Sequence, residues 1–434
     1  MSSDTGYPQA EREQLDDLGA TLRSVLESSR SDFYRKHFAG LEFLSGFPKT
    51  LAQWRGLPFL SKQEISDTPL WDRTFAPKDQ VHAIRFTAGT SGKRSLFTPR
   101  RSFGQYGRAA ALAGARRMLA FVNAIYMSEA SRRELGIAIL NCNYPDTPET
   151  YTLASTLAKQ FHADSLLTFP STAIELAPYL AESGALSAIR TLEFTGERCS
   201  PAQEKALRQL YGDPILVQNY SASEWNGTFG ESCTYAIKEG LMSFHVEQEF
   251  FFSEFIDPDT LEPADPHRGP AELVISSLTS DQPFPIIRYR TGDLLSVEGT
   301  HCPCGDPTPR FIKTARVDAD RTRLFSMEFS ADAIERALDA CPDVAPEDFE
   351  AHYIERQKNN IYEHGLKLFV MPRTSDLDLV RTARWLEEHM RVSTASTYAE
   401  GVRDGLLLPL QVAILRKPTR SALGKRIRLI KTQE

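Results

Sequence analysis

The chain has 434 residues, 41% hydrophobic and 25% charged. This is an ordinary globular composition, too long for one core, and it predicts two or three domains. Asp and Glu number 57 against 50 Lys and Arg, a net charge of −7, which argues against the basic face that non-specific nucleic-acid binding needs.

No run of about 18 apolar residues occurs, so no spanning helix is expected. Met1–Gly19 is polar and acidic, unlike a signal peptide. Six cysteines in so long a chain do not make a disulfide framework, and the expectation is a cytoplasmic protein whose clustered cysteines, Cys302 and Cys304, serve a metal or chemistry. In chain order, the first eighty or so residues read as helices with polar breaks, Leu22, Val25 and Leu26 sharing one face. From Val81 strands and helices alternate. Val81–Phe86, Gly136–Leu140, Arg190–Phe194 and Pro214–Gln218 read as short strands, with a helix over Pro201–Tyr211. That alternation predicts parallel strands joined by crossover helices. Gly269–Leu278 is richer in β formers and is expected to open a more antiparallel subdomain. The character changes at Ala315–Asp320. Ser330 then reads as an N-cap, with Ile334, Ala337 and Leu338 on one helical face. A strand over Leu366–Met371, a helix over Val380–Met390 and a strand over Gln411–Leu415 follow. The expected fold is α/β: a large domain over residues 1–317 and a small α+β domain over residues 318–434.

One loop stands out. Thr87-Ala88-Gly89-Thr90-Ser91-Gly92-Lys93 follows a strand-like stretch and packs two glycines, three hydroxyls and a lysine into seven residues. Glycines let backbone approach phosphate oxygens, and hydroxyls and amides donate to them. It is not the ordinary P-loop, because the place five residues before the Gly-Lys pair holds Thr87 rather than glycine. Further on come Thr195-Gly196-Glu197, Tyr220-Ser221-Ala222-Ser223-Glu224, Tyr289-Arg290-Thr291-Gly292-Asp293, Ala315-Arg316-Val317-Asp318 and Arg420-Ser421-Ala422-Leu423-Gly424-Lys425. In this order the six segments resemble the motifs of the adenylate-forming superfamily of acyl-CoA synthetases, peptide-synthetase adenylation domains and firefly luciferase. The short N-terminal region and Cys302-Pro303-Cys304-Gly305 resemble its phenylacetate-CoA ligase-like branch.

The resemblance implies an enzyme that activates a small carboxylic acid with ATP as its acyl-adenylate, releasing pyrophosphate, with a mobile C-terminal lid and the site between the two domains. It implies that Thr87, Gly89, Thr90, Ser91, Gly92 and Lys93 hold the β- and γ-phosphates. Glu224 would hold Mg²⁺, and Asp293 the ribose hydroxyls. Tyr220, Ser221 and the backbone at Gly196 and Glu197 would frame the adenine, and Arg316 would help near the hinge. Lys425 would be the catalytic lysine, placed between two anions where a cation favours the transition state. Arg290 is expected to be structural, paired with a nearby acid.

Cys302 and Cys304 flank a proline before Gly305, a knuckle that can aim two thiolates at one metal. Tetrahedral zinc needs two more ligands. Cys233 and His245 are candidates, His301 is the rival for the fourth place, and the role is structural. Cys142, Cys199 and Cys341 read as small core residues.

Two stretches depart from the family pattern. Asn141–Thr147, which includes Tyr144, has no glycine where phenylacetate ligases are glycine-rich. With Ala222, Ser223, Trp225 and Asn226 it is expected to line a pocket for a different acid, aromatic or heteroaromatic. Phe325–Ser330 also lacks the glycine expected beside a pantetheine tunnel. This leaves the acceptor open among CoA, a carrier-protein thiol, an amine or another nucleophile. No nucleic-acid or membrane partner is expected, and a homodimer is admitted.

Overall fold

The computed structural model describes residues 8–41, 48–81, 84–87, 96–97, 107–121, 133–143, 147–224, 227–317, 321–324, 327–358, 361–393, 396–421 and 424–433. Of the expected site residues, Gly89, Thr90, Ser91, Gly92, Lys93, Tyr144, Trp225 and Asn226 lie outside these. The chain packs into two compact units.

The first unit comprises Met1–Arg108, Gln218–Glu239 and Ser243–Thr314. Its helices are Pro8–Glu27, Phe33–His37, Leu51–Arg55, Lys62–Asp67 and Thr234–Glu239. The three- and four-residue spacing of Leu18, Leu22 and Val25 buries one stripe of the first helix, as expected. Thr50 and Ser61 start two of the others, each accepting a backbone N–H three residues on. The unit's strands run in the order Phe251–Ile256, Ala271–Ser277, Tyr289–Gly299, Arg310–Arg316, Phe244–Val246, Gly227–Glu231 and the end of Ile215–Ala222. The first two pairs are antiparallel, as are the last three. This is the β-rich part anticipated from Gly269–Leu278. Of the described residues in the expected Val81–Phe86 strand, Arg85–Phe86 form a strand, which pairs antiparallel with Leu96–Phe97.

The second unit comprises Ala109–Val217, Gly240–Met242 and Ala315–Glu434. Four strands, Thr191–Thr195, Ser165–Thr168, Arg117–Ala120 and Ala138–Asn141, lie side by side in that order, all parallel. Helices Pro148–Phe161 and Pro170–Ser183 connect them, and Pro201–Tyr211 follows the last. Each of the three begins with proline, whose missing N–H costs nothing in the first turn. Thr147 and Ser200 cap two of them with side-chain oxygens, and Gly184 and Gly212 end two of them in the left-handed conformation. This punctuation explains why the strand–helix alternation was visible in the sequence.

The C-terminal part of the same unit has its own four-stranded sheet, ordered Gln411–Ile414, Ile361–Pro372, Val344–Lys358 and Leu429–Gln433. The central hairpin is antiparallel and both outer strands pair parallel. Ser330 caps helix Ala331–Ala340, accepting the Ala333 amide at 3.2 Å, and Ile334, Ala337 and Leu338 are buried as expected. Helices Leu379–His389 and Tyr398–Arg403 complete it. Among the described residues no helix is long and apolar enough to cross a membrane.

Candidate active site and metal centre

In the first unit, the Tyr289–Asp293 segment shows what each of its residues does. Tyr289 is buried, and its hydroxyl donates to Glu224 Oε1 at 3.2 Å. Arg290 grips Glu272 through Nε and Nη2, at 3.1 and 2.6 Å to its two oxygens, so it is structural and acid-paired as expected. Thr291 Oγ1 donates to the Leu273 carbonyl at 2.8 Å and accepts the Asp293 amide at 3.1 Å. Gly292 has φ of 72°, the left-handed region that glycine enters without strain, and its amide donates to Glu272 at 3.2 Å. The motif thus builds a rigid kink that presents the Asp293 carboxylate.

Asp293 is 4% exposed. Its carboxylate accepts the Tyr220 hydroxyl at 2.8 Å and meets Lys313 Nζ at 2.8 Å. The Tyr220 ring stacks on Phe244 with centroids 5.3 Å apart, and Lys313 Nζ lies 5.5 Å from its face. Lys313 was not anticipated. The one sequence signal was its place two residues after Phe311 in a strand, which puts both on one face. Thr87, at the near end of the glycine-rich loop, is buried. Ser221 and Ala222 end strand Ile215–Ala222, and Ser223 and Glu224 form the turn that follows.

In the second unit, Gly196 follows strand Thr191–Thr195 with φ of 76°. A Cβ there would lie 2.8 Å from Phe169 Cε1 and 3.0 Å from Lys425 Cε, so only glycine fits. The Lys425 side chain therefore lies against Gly196, and two motifs more than two hundred residues apart meet. The Glu197 carboxylate accepts Ser171 Oγ at 2.8 Å and the Arg426 amide at 2.5 Å. Arg316 closes strand Arg310–Arg316.

Cys233, His245, Cys302 and Cys304 gather in the first unit, their ligand atoms all within 4.8 Å of one another. Cys233 Sγ lies 3.6 Å from Cys302 Sγ, and Cys304 Sγ lies 3.4 Å from His245 Nε2. A tetrahedral zinc with Zn–S near 2.3 Å and Zn–N near 2.0 Å sets such separations at roughly 3.5–3.8 Å, so the donors fit. His301, the rival ligand, is exposed and is not in the group. The surroundings are built for thiolates. The Ala236 and Asp306 amides donate to Cys233 and Cys304 at 3.4 Å, and Arg310 Nη1 donates to Cys302 at 3.3 Å. Burial pushes both the Cys302 and Cys304 thiols up. The Cys304 amide and Arg310 outweigh it at Cys302 and hold that thiol at about 6, whereas Cys304 rises to about 12. His245 Nδ1 meets Thr308 Oγ1 at 2.9 Å, and Thr308 in turn donates to Asp306 at 2.7 Å, which fixes the ring with Nε2 toward the sulfurs. The remaining cysteines are packed, as expected: Cys341 in the C-terminal core, Cys142 and Cys199 against the core of the parallel sheet.

No family model matches the chain. A phenylacetate-coenzyme A ligase of Thermus thermophilus is 23% identical over 398 residues, covering 88% of this chain and 84% of the relative. An indoleacetate–lysine synthetase of Pseudomonas savastanoi is 28% identical over 142 residues, 31% of this chain and 30% of the relative. Among solved structures, 2-hydroxyisobutyryl-CoA ligase in the postadenylation state with 2-HIB-AMP shares the fold, with a TM-score of 0.71 at 17% identity, covering 98% of this chain and 90% of that chain. In motif order, in sequence and in fold, the chain is similar to the adenylate-forming superfamily and, within it, to the phenylacetate-CoA ligase-like branch.

Proposed function

We propose that the protein is an ATP-dependent acid–thiol ligase, which converts a small carboxylic acid to its acyl-adenylate and passes the acyl group to CoA. The observation that carries this reading is the Lys425 side chain held against Gly196. A substrate carboxylate oxygen would attack the α-phosphorus of ATP, and the bond to pyrophosphate would break with the electron pair leaving on that group. Two anions must approach, and a fixed ammonium between them stabilises the transition state more than the separated reactants. Asp293, held by Tyr220 and Lys313, is suited to accept the ribose hydroxyls. Glu224 would hold Mg²⁺, which prefers carboxylate oxygen and would neutralise the departing pyrophosphate. Thr87 and the loop to Lys93 would bind the phosphates. In the second step a thiolate would attack the acyl carbon and AMP would leave. The similarity to phenylacetate-coenzyme A ligase supports CoA as the acceptor, and a carrier-protein thiol is the same chemistry.

Tyr144, Ala222, Ser223, Trp225 and Asn226 would line the acid pocket, and a tryptophan wall with an amide suits an aromatic or heteroaromatic acid. We assign the Cys233, His245, Cys302 and Cys304 quartet to one structural zinc, since four protein ligands leave no position for water. A second reading, transfer to an amine, draws on the similarity to indoleacetate–lysine synthetase and on the glycine-free Phe325–Ser330 segment.

ATP–pyrophosphate exchange across aliphatic, aryl, heteroaryl and amino acids tests the first step. Exchange is expected with one acid class and should fall at least about 10²-fold in Lys425→Ala, the loss typical of a preorganised donor. Exchange that survives the substitution would remove Lys425 from the chemistry. Mass spectrometry of products formed with CoA or with free lysine then separates the two acceptors.

A further inference from the structure

Lys425 sits in a closed turn. The Ser421 amide donates to the Lys425 carbonyl at 2.8 Å, the Gly424 amide to the Ser421 carbonyl at 2.9 Å, and the Lys425 amide to Ser421 Oγ at 3.2 Å. These bonds fix the shape of the turn but not its place. Two carboxylates of the parallel-sheet layer help to hold its place. Glu175, on helix Pro170–Ser183, accepts Arg420 Nη2 at 2.6 Å, and Arg420 Nη1 donates to the Gly424 carbonyl at 2.6 Å. Glu197 accepts the Arg426 amide at 2.5 Å. Lys425 is bracketed: the carbonyl before it is held through Arg420, and the amide after it through Glu197. Glu175 is itself aimed, because the Tyr151 hydroxyl donates to its other oxygen at 2.7 Å and the Tyr151 ring stacks on Tyr179 at 5.2 Å.

We propose that Glu175 is a positioning residue for Lys425, acting through Arg420 to hold the ammonium against Gly196. The proposal deepens the ligase reading and rests on it. An isolated surface ion pair contributes little, and its loss would pass unnoticed. This guanidinium also carries the Gly424 carbonyl, so losing its anchor frees the residue before the catalytic lysine. A displacement of about 1 Å at a reacting group can cost about 10²-fold in rate.

The test uses the full chain and reads two half-reactions: ATP–pyrophosphate exchange with the acid the wild type accepts, and acyl transfer to CoA from chemically prepared acyl-adenylate. Glu175→Ala is expected to lower kcat for exchange about 10- to 100-fold, with KM for ATP within about threefold of the wild type. Transfer should fall much less. Glu175→Asp keeps a carboxylate acceptor for Arg420 and is expected to recover part of the rate that Glu175→Ala loses. Unchanged exchange, or equal loss in both half-reactions, would overturn the proposal. Hydrogen exchange of the 417–429 segment reads the clamp without acid or ATP. Deuterium uptake there should rise in Glu175→Ala but stay unchanged around residues 234–246, and no rise would also overturn it. A wild type silent with every acid would sink the ligase reading and with it the catalytic role, while the uptake result still decides the clamp.

Discussion

Arg288 and Glu254 show how a single side chain can organise this protein. Both side chains are 3% exposed, and the guanidinium grips the carboxylate through Nε and Nη2 at 3.1 and 3.2 Å. Arg288 also donates to the Arg55 and Leu57 carbonyls and covers the Phe59 ring at 4.0 Å, tying the N-terminal helices to strand Phe251–Ile256. Its φ of 46° is one an arginine rarely adopts, so these contacts must hold the backbone there. Removing one partner of such a pair leaves a buried charge without compensation. Glu254→Ala is therefore expected to cost about 3–5 kcal/mol, read from the urea midpoint at unchanged slope. A cost under about 1 kcal/mol would place the pair with ordinary surface bridges. The same reasoning explains why Lys313 and Glu175 went unread in the sequence. Each is a common residue in a common element, and only the fold brings it to Asp293 or Arg420.

At the scale of elements, the sequence offered all four members of the cysteine–histidine quartet as candidates. The Cys302–Cys304 spacing pointed to two of them, Cys233 and His245 were the further candidates with His301 as rival, and the pairing of strand Arg310–Arg316 with Phe244–Val246 is what brings His245 to the group. Elemental analysis is expected to find one zinc per chain, and Cys304→Ser should lose it. Thr308→Val removes only the oxygen that orients His245, and should weaken zinc about 10- to 100-fold in a chelator competition. A Cys304→Ser protein with full metal content would eliminate the quartet as the site. Strand Val344–Lys358 carries a second device. Glu350 accepts His352 Nε2 at 2.6 Å and the Thr419 amide at 2.8 Å, which tethers the segment leading to Arg420. Burial pushes its carboxyl up, but these bonds outweigh it and hold the group below its ordinary 4.5. A depressed carboxylate stabilises the fold above the ordinary value and loses that contribution as pH falls through the lowered one. The melting temperature of the wild type should exceed that of Glu350→Gln at pH 6–7, and the gap should close as pH drops below about 4.5. A gap independent of pH would mean that Glu350 acts by packing rather than by charge.

Across the whole molecule, the parallel layer was legible because continuous apolar strands alternate with helices opened by Pro148, Pro170 and Pro201. Strand Val344–Lys358 was not, because its charged run Glu347–Glu350 and Glu355–Lys358 masks the two-residue alternation, and its pairing with residues 361–372 and 429–433 overrides weak local propensity. The lid proposed over residues 318–434 can be judged on how its core closes. One buried apolar cluster draws every member from residues 327–429, including Phe329, Ile334, Leu338, Phe349, Leu368, Leu386 and Tyr398. The parallel-sheet layer has a separate cluster drawn from residues 119–216. Among the described residues, polar bonds join these two parts of the unit: Arg198 with Asp332, Glu335 with the Ala202 amide, Lys205 with Asp339, Arg426 with Glu197, and Arg420 with Glu175. A segment of about a hundred residues with its own closed core can fold alone. Polar surfaces joined by ion pairs can part without exposing that core. Residues 318–434 expressed alone are therefore expected to melt cooperatively, with dispersed amide resonances. A molten fragment that binds a hydrophobic dye would show instead that the parallel-sheet layer completes its core, and the boundary at residue 318 would have to be abandoned.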